Sequence, residues 1–328
     1  MRAVICRAWG DVEALTVEDI APPEPGPGEM LIAVKATAVN YADALMVAGR
    51  YQTRPTLPFS PGLETAGVVM QCGAGARRFT PGDRVMAILP YGGLAEQAIA
   101  AEDETFAIPD GMRFEAAGAF PIAYFSSHVA LRWQGRLAAG ETLLVLGAAG
   151  GVGLSAVEIG KAMGARVMAG ASTAEKLAVA QAHGADDLIN YTTEPLTERV
   201  MSLTHGAGVD VCFDPVGGDL FDAALSSLGW GGRILLVGFV GGIPRIPAHR
   251  LLVKQRSALG CTLRYFRWHA PDKLRASVAE LCQWYQEGKL TPCITHCLPL
   301  ERSREAIRLL TDRQAYGKVV IIPEETTA

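Results

Sequence analysis

A glycine-rich turn between an apolar run and a helical pattern is the feature that most constrains the fold of this 328-residue chain. Residues 143–146 have the composition of a buried parallel strand. Glycines follow at once, then apolar residues at helical spacing, and then a second strand candidate at 166–170. In such a strand–turn–helix unit, the N–H groups and the positive dipole end of the helix bind a pyrophosphate. The stretch therefore predicts a dinucleotide site.

The glycine pattern alone is weak, because Ala148 occupies the place of the first glycine of G-x-G-x-x-G. The strands and helix around it supply the context that such a motif needs. There, Gly150 lets the backbone approach the phosphates, and Gly153 lets helix and strand pack closely. An ordinary tight turn is the alternative, but it does not explain four glycines between positions 147 and 153.

The tip of the second strand indicates which dinucleotide is bound. An acidic residue there would bind the ribose 2′-hydroxyl of NAD. This chain has Ser172 at the tip, and Lys176 one helical turn later, while we expect the helix to direct Glu175 elsewhere. A hydroxyl and an ammonium suit a 2′-phosphate. NADPH is therefore the predicted cofactor, with a solvated helix residue as the alternative interpretation of Lys176.

Composition and charge limit the class of protein. Hydrophobic residues make up 49% and charged residues 20%, as in an ordinary globular protein, and the net charge of −4 argues against nucleic acid as the main partner. No signal peptide or apolar run of membrane-spanning length is visible. The seven cysteines are odd in number and scattered, which predicts a reducing, cytoplasmic location rather than a disulfide framework.

One cluster brings three potential metal ligands together, Cys293, His296 and Cys297. A strand would scatter these side chains over both faces, and no second ligand cluster accompanies them. We therefore predict no metal site there.

The order of strand-like and helix-like stretches predicts two domains. The first ~120 residues carry short β-like runs and turn signals, with strands expected at 30–38, 65–71 and 84–89. From about residue 123 helices and strands alternate, as in a doubly wound parallel sheet. Six strands are expected there, at 143–147, 166–170, 187–190, 209–214, 234–238 and 258–262. Helices near 272–287 and 301–312 follow, and then an apolar run at 318–322 that could return to the first domain's sheet.

Seven motifs distributed over nearly the whole chain give it a family resemblance. They are VNYADALMVAGRYQ (39–52), PFSPGLETAGVV (58–69), GDRV (82–85), AAGGVG (148–153), FDPVGGDLF (213–221), GGRILLVGF (231–239) and YGKVVI (316–321). Together they resemble the medium-chain dehydrogenases/reductases, in particular the zinc-independent, zeta-crystallin-like quinone oxidoreductases. The resemblance implies an α/β fold with a Rossmann domain (123–262) inserted into a strand-rich GroES-like catalytic domain (1–122 plus 263–328).

The positions of the zinc ligands in related enzymes indicate the chemistry. Asn40 and Leu63 stand where zinc-dependent relatives have Cys and His, and no cysteine occurs between Cys72 and Cys212. Without a Lewis acid, hydride transfer from NADPH suits quinones and conjugated carbonyls better than unactivated ketones. The alternatives are reduction of an activated C=C bond and a non-catalytic NADPH-binding protein.

The resemblance also assigns roles to residues. Asn40 lies near the nicotinamide, and Tyr51 is a candidate to orient or protonate the substrate, or else a half-buried loop tyrosine. Ser126 lies where relatives place a hydroxyl under the nicotinamide amide. Ser172, Lys176 and Tyr191 match a 2′-phosphate pocket. The remaining cofactor residues implied are Ala149, Gly150, Gly151, Val152, Gly153, Val216, Gly238, Phe239, Val240 and Lys318.

Two departures from the family pattern fall where the small-molecule substrate is expected. Leu45 replaces a tyrosine, and the segment 263–269 is bulky and basic. Its Arg264 and Arg267 are either solvated loop residues or binders of an anionic substrate. Separately, the sixth strand would leave an apolar sheet edge, which predicts a homodimer.

Overall fold

The computed structural model describes residues 1–323, and the chain divides into two compact units. The first unit contains Met1–Ile122 and the segment that starts at Pro292, and the second unit is Ala123–Thr291. Elements are numbered along the chain. In residues 1–323, no helix combines the length and apolarity needed to span a membrane.

The first unit is built mainly on antiparallel strand pairs, with one parallel pair at an edge of its larger sheet. A seven-stranded sheet has the order β14-β15-β3-β4-β5-β7, with β6 paired to β3, and β1 and β2 form a separate pair. The strands are β1 (Arg2–Ile5), β2 (Thr16–Asp19), β3 (Glu29–Ala38), β4 (Glu64–Cys72), β5 (Arg84–Ile88), β6 (Gln97–Ala101), β7 (Thr105–Ala107), β14 (Ile294–Pro299) and β15 (Lys318–Ile322). The helices are α1 (Tyr41–Val47), α2 (Phe114–Gly118) and α11 (Ser303–Thr311).

The return of the chain end to the first sheet is confirmed. β15 pairs antiparallel with β3, so that Val320 lies opposite Ala38. The apolar run of β15 is suited to this place because Val319, Val320 and Ile321 are fully buried. This pairing brings Lys318, at the start of β15, to the end of β3.

The second unit contains the predicted doubly wound sheet. Its six strands have the order β10-β9-β8-β11-β12-β13, and all of its pairings are parallel. The strands are β8 (Thr142–Leu146), β9 (Arg166–Ala171), β10 (Asp187–Asn190), β11 (Val209–Asp214), β12 (Leu228–Leu236) and β13 (Ser257–Gly260). The order reverses between β8 and β11, and ligands of such folds bind outside the carboxyl ends of strands at that point.

Helices connect these strands, one irregular helical segment precedes them, and two helices follow the last strand. They are α3 (Ser126–His128), α4 (Gly151–Ala162), α5 (Ala174–Ala182), α6 (Leu196–Leu203), α7 (Leu220–Ser227), α8 (Ala248–Val253), α9 (Leu263–His269) and α10 (Pro271–Gln286). The single turn of α3 lies between π-helical stretches at Pro121–Phe125 and Val129–Gln134. Such stretches are frequent at functional sites.

Strand bounds in the second unit differ from the sequence prediction by at most two residues, except at the start of β12, which lies six residues earlier than predicted. β8 ends at Leu146 rather than at residue 147, because Gly147 has a φ of +57° and turns the chain. β12 begins earlier, at Leu228, and ends at Leu236, before the expected residue 238. β13 ends at Gly260, where Thr262 caps the next helix instead of extending the strand.

The second unit also extends beyond the predicted boundary at residue 263. The compact unit ends at Thr291, so it includes α9 and α10. The helix α10 buries Leu274, Val278 and Leu281. The indole nitrogen of Trp133, in the same unit, donates to Ser277 Oγ at 2.9 Å. The sequence prediction places the boundary after the last strand, β13. The second unit extends further because the apolar face of α10 packs within it.

Candidate functional site

The glycine-rich turn after β8 is held by close backbone contacts. Gly150 has extended backbone angles (φ −76°, ψ 165°) and precedes the first residue of α4. A Cβ atom at Gly153 would lie 2.2 Å from the Gly147 carbonyl oxygen, so only glycine allows the helix to pack on the turn here. The same atom at Gly150 would lie 3.4 Å from that oxygen, an ordinary contact. The packing role predicted for Gly153 therefore has a steric basis.

The turn after β11 lies beside the glycine-rich turn. A Cβ atom at Gly147 would approach Val216 Cγ2 to 3.1 Å, so Val216 packs on the first residue of that turn. Both turns lie at the carboxyl ends of the two central strands. The structure thus brings Val216 to the strand-order reversal, together with Ala149, Gly151 and Val152. The Ala149 side chain is buried, so any ligand contact from it would come from the backbone.

The segment after β12 is joined to this turn by backbone hydrogen bonds. Gly218 N donates to Gly242 O and Gly241 N donates to Val216 O, each at 2.8 Å. Gly217 and Gly218 have φ values of +65° and +57°, and a Cβ atom at either would collide with the backbone of the other loop. The stretch containing Gly238, Phe239 and Val240 therefore lies next to the glycine-rich turns, and Phe239 is 44% exposed.

Asp214, which sequence reasoning missed, shapes the turn after β11. Its Oδ1 atom accepts hydrogen bonds from the N–H groups of Val216 and Gly217, each at 2.8 Å. Burial raises the pKa of Asp214, and these two N–H groups oppose the rise. Its Oδ2 atom is buried and has no hydrogen-bond partner within residues 1–323. An acidic residue directly after the apolar run 211–213 was the available signal.

The residues predicted to hold a 2′-phosphate lie at the ends of two neighbouring strands. Asn190 of β10 lies opposite Ala171 of β9, which places Ser172 and Tyr191 at the same sheet edge. Thr192 Oγ1 donates to Ser172 O at 3.0 Å and ties the two strand ends together. Lys176 lies in the first turn of α5, capped by Thr173, and is half-buried, which differs from a fully solvated helix residue.

Ser126 lies half-buried at the start of α3. The neighbouring Ser127 Oγ donates to Val152 O at 2.8 Å, so this segment is fastened to the first turn of α4. The Oγ atom of Ser155 donates to Ala123 O at 3.1 Å and adds a second link. The second unit therefore holds Ser126 close to the glycine-rich turn.

In the first unit, Asn40 and Lys318 are brought into direct contact, although 278 positions separate them in the chain. Lys318 Nζ donates to Asn40 Oδ1 at 2.7 Å and to Glu64 Oε1 at 2.8 Å. Asn40 Nδ2 donates to the same Glu64 oxygen at 2.8 Å. Glu64 Oε2 accepts the N–H of Ile122 at 2.8 Å. Glu64 is fully buried and Lys318 is 6% exposed.

Asp43 lies beside this cluster and is fully buried. Its Oδ2 atom accepts the N–H of Asn40 at 2.7 Å and its Oδ1 atom accepts the N–H of Gly62 at 3.0 Å. Burial raises the pKa of Asp43 to about 7, opposed by these N–H groups and by Lys318. The two acceptor bonds fix the start of α1 and the loop before β4.

Sequence reasoning missed both Glu64 and Asp43. A carboxylate at the start of the largely apolar strand β4 was the signal for Glu64, because an isolated buried charge is very costly. The signal for Asp43 was its spacing of three from Asn40 at a helix start, since an acidic residue there binds the N–H before the helix.

Tyr51, the predicted catalytic tyrosine, is half-buried in the loop after α1. Its N–H donates to Leu45 O at 3.1 Å, and its ring packs against the core that contains Leu63 and Phe59. Asn40 precedes α1 and Tyr51 follows it, so one short helix sets the positions of both. Leu63 is buried in the same core, which makes it a packing residue in this chain.

The basic segment 263–269 forms the helix α9, so the interpretation as a solvated loop is wrong. Thr262 Oγ1 accepts the N–H of Arg264 and caps this helix. The Arg264 guanidinium lies 4.9 Å from the centre of the Trp268 ring. Arg264 and Arg267 are both half-buried.

Neither the cysteine–histidine cluster nor any other group within residues 1–323 has an arrangement suited to a metal ion. No set of three His, Cys, Asp or Glu side chains converges there. Cys293 precedes β14, and His296 and Cys297 lie in it, with Cys297 exposed.

Two family models match the chain and correspond to its two units. The model of the alcohol dehydrogenase GroES-like domain matches residues 26–110. The model of the zinc-binding dehydrogenase matches residues 151–283. The predicted fold class, a Rossmann domain combined with a GroES-like domain, is confirmed.

Relatives match over nearly the full length. The chain is 38% identical over 325 residues to the quinone oxidoreductase-like protein 2 homolog of Nematostella vectensis, covering 98% of this chain and 88% of that protein. Escherichia coli quinone oxidoreductase complexed with NADPH has a TM-score of 0.93 and 27% identity, covering 98% of this chain and 100% of that one. A structure described as an NAD-dependent alcohol dehydrogenase has a TM-score of 0.90 and 32% identity, covering 99% and 100%. Similar folds with different cofactors therefore leave the choice of cofactor to local residues.

Proposed function

The chain belongs to the quinone oxidoreductase family of the medium-chain dehydrogenases/reductases, and from this membership we propose that it reduces quinones with NADPH. The observation that carries the proposal is the edge formed by the ends of β9 and β10. Ser172 and Tyr191 lie together there, with Lys176 in the helix that follows, and the strand tip carries no carboxylate. A hydroxyl and an ammonium favour a 2′-phosphate, whereas a carboxylate would repel it.

The residues of the second unit fit a dinucleotide. The turn 147–153 and the start of α4 offer backbone N–H groups and a positive helix end to a pyrophosphate. We assign the cofactor contacts to Ser126, Ala149, Gly150, Gly151, Val152, Gly153, Ser172, Lys176, Tyr191, Val216, Gly238, Phe239 and Val240. Bound NADPH would supply the hydride, and the protein would supply binding and orientation.

In the first unit, Tyr51 is the proposed hydrogen-bond donor to the acceptor oxygen. An ordinary tyrosine has a pKa near 10, so at neutral pH its hydroxyl donates rather than acts as a base. Asn40 is the second proposed site residue. Catalysis would then depend mainly on positioning the reactants, which suits acceptors as electron-poor as quinones.

Independence from zinc is part of the proposal. Asn40 and the buried Leu63 replace the two ligand types that zinc-dependent relatives have at these positions. Activity should therefore survive dialysis against EDTA. Stoichiometric zinc that is lost together with activity would contradict this.

We further propose a homodimer formed through the edge strand β13. The segment before that strand exposes large apolar side chains, with Ile243 82%, Leu252 80% and Val253 67% exposed. Proteins usually cover such edges. Light scattering at micromolar concentration should give twice the chain mass.

All seven cysteines are unpaired, which supports the proposed cytoplasmic location.

Stopped-flow oxidation of NADPH against a panel of acceptors tests the proposed activity. We expect simple quinones to oxidise NADPH fast and unactivated ketones to oxidise it little. With the same quinones, NADH should be oxidised more slowly than NADPH. Turnover only with enones, acrylates or enoyl thioesters would replace quinones by activated C=C bonds as substrates. Tight NADPH binding without any turnover would indicate a binding protein.

A further inference from the structure

The buried pair of Glu64 and Lys318 has no role in the function proposed so far. Their charged atoms lie 2.8 Å apart, and the side chains are 0% and 7% exposed. Removing two charges from water is costly, and an apolar pair of similar volume is often as stable. Stability alone therefore does not account for an ion pair at this place.

The ion pair is arranged around the side-chain amide of Asn40. An ammonium has three donors, and Lys318 directs them to Asn40 Oδ1 (2.7 Å), Glu64 Oε1 (2.8 Å) and Val39 O (3.5 Å). The amide nitrogen of Asn40 has two hydrogens, directed to Glu64 Oε1 (2.8 Å) and Ala38 O (3.3 Å). The donors of both side chains are therefore already engaged.

The charges also determine which way the amide faces. Rotating it by half a turn would place Oδ1 against the Glu64 carboxylate and the NH2 group against the Lys318 ammonium. Both contacts would then be repulsive at hydrogen-bond distance, in a buried setting where unmatched polar groups are most costly. The Glu64–Lys318 pair thus selects one of the two amide orientations.

We propose that Glu64 and Lys318 are positioning residues that fix the Asn40 amide so that it meets a ligand only as an acceptor, through Oδ1. The ligand group would be a hydrogen-bond donor of NADPH, either a ribose hydroxyl or the carboxamide NH2, and not the carbonyl oxygen of the electron acceptor. Lys318 then acts through Asn40, which replaces the direct cofactor contact that the sequence predicted. The inference rests on the proposed function, because it takes NADPH as the ligand.

The test compares NADPH dissociation constants, measured from the quenching of protein fluorescence, for wild type, Glu64→Gln, Asn40→Asp and the double variant. Glu64→Gln removes the counter-charge of Lys318 and leaves one oxygen for three donors, the side chains of Asn40 and Lys318 and the N–H of Ile122. Asn40→Asp places two carboxylates together. Each variant should therefore weaken NADPH binding at least tenfold. In the double variant the carboxylate introduced at position 40 accepts from both neighbours, and the net charge of the cluster is unchanged. The double variant should bind NADPH at least threefold more tightly than either single variant.

Thr37→Val is the matched control. Thr37 Oγ1 donates to the backbone oxygen of the same Glu64 at 2.6 Å and is fully buried, but it does not contact the Asn40 amide. Its melting temperature should fall while NADPH affinity stays within twofold of wild type. If Glu64→Gln and Thr37→Val shift the dissociation constant equally, or the double variant is as weak as the combined singles, the proposal is wrong.

A further variant covers the case in which Glu64→Gln does not fold. Lys318→Arg keeps the charge but replaces a compact ammonium by a planar fork. It should weaken NADPH binding at least fivefold, and an unchanged dissociation constant would overturn the proposal.

The acetylpyridine analogue of NADPH, which lacks the carboxamide NH2, separates the two donor sources. If Asn40→Asp weakens the analogue as much as NADPH, the donor is a ribose hydroxyl, and if it does not, the donor is the carboxamide. These measurements need no electron acceptor. If the wild type binds NADPH but reduces no quinone, the proposed function is contradicted, and the binding test of Asn40 can still be interpreted.

Discussion

The glycine-rich turn of the second unit and the charged cluster of the first unit are built in opposite ways. The turn is a continuous stretch, 147–153, in which backbone groups and missing side chains form the proposed binding surface. The cluster joins side chains from distant positions, Asn40, Glu64 and Lys318, around one ion pair. The comparison shows that a site made of backbone groups can be predicted from a local sequence motif. A site made of charged side chains from distant positions can be identified only in the folded sheet.

The largest expected effect separates two glycines within the turn. Gly153→Ala forces a Cβ atom to within 2.2 Å of a backbone oxygen, so it should lower the free energy of unfolding by about 3 kcal/mol and abolish tight NADPH binding. Gly150→Ala meets no such contact and should leave the melting temperature nearly unchanged. If Gly150→Ala nevertheless weakens NADPH binding, its role is close approach to phosphate. Equal melting temperatures for both variants would refute the steric argument.

The next effect concerns how the stability of the folded protein depends on pH through Asp43, which lies beside the charged cluster. The pKa of Asp43 is raised to about 7 in the folded protein, so the folded state holds a proton that the unfolded state has lost. Its contribution to stability is therefore full below pH ~4 and declines as the pH rises to about 7. Asp43→Asn should remove this decline. It should also cost about 1–3 kcal/mol, because one of two backbone N–H groups loses its acceptor.

Urea unfolding at several pH values measures both effects of this substitution. Wild type should lose stability between pH 5 and pH 7 relative to Asp43→Asn. Parallel curves for the two proteins would show that Asp43 titrates normally.

A third substitution tests a side-chain contact at the edge of the backbone-built site. Lys176→Ala should weaken NADPH binding by about 1–3 kcal/mol, because a charge-assisted hydrogen bond to the 2′-phosphate is lost. NADH lacks that phosphate, so its affinity should hardly change. Titration of both cofactors measures the difference, and equal losses would assign Lys176 a general rather than a phosphate-specific role.

The smallest effect concerns Tyr51. Loss of one neutral hydrogen bond costs about 0.5–1.5 kcal/mol, so Tyr51→Phe should slow kcat/KM with a simple quinone roughly threefold to tenfold. A loss above about a thousandfold, some 4 kcal/mol, would make Tyr51 an essential acid. An unchanged kcat/KM would remove it from the site.

Much of the fold follows from local pattern. The strands 187–190, 209–214 and 318–322 begin and end where the sequence predicts, because apolar runs bounded by turns leave few alternatives. The helix α9 was missed because seven residues rich in aromatic and basic side chains carry no clear period. The extent of the second unit was missed for another reason. The elements against which α10 packs are decided by tertiary contacts, which a local sequence pattern does not contain.

The sequence by itself determined the Rossmann architecture of the second unit. Glycines, apolar strands and their order act over a few residues, where backbone geometry leaves little choice. The tertiary structure alone decided how Glu64 and Lys318 enclose the Asn40 amide and how Asp43 binds two backbone N–H groups. These contacts join residues up to 278 positions apart, and their strength depends on burial, which only the packed sheet creates.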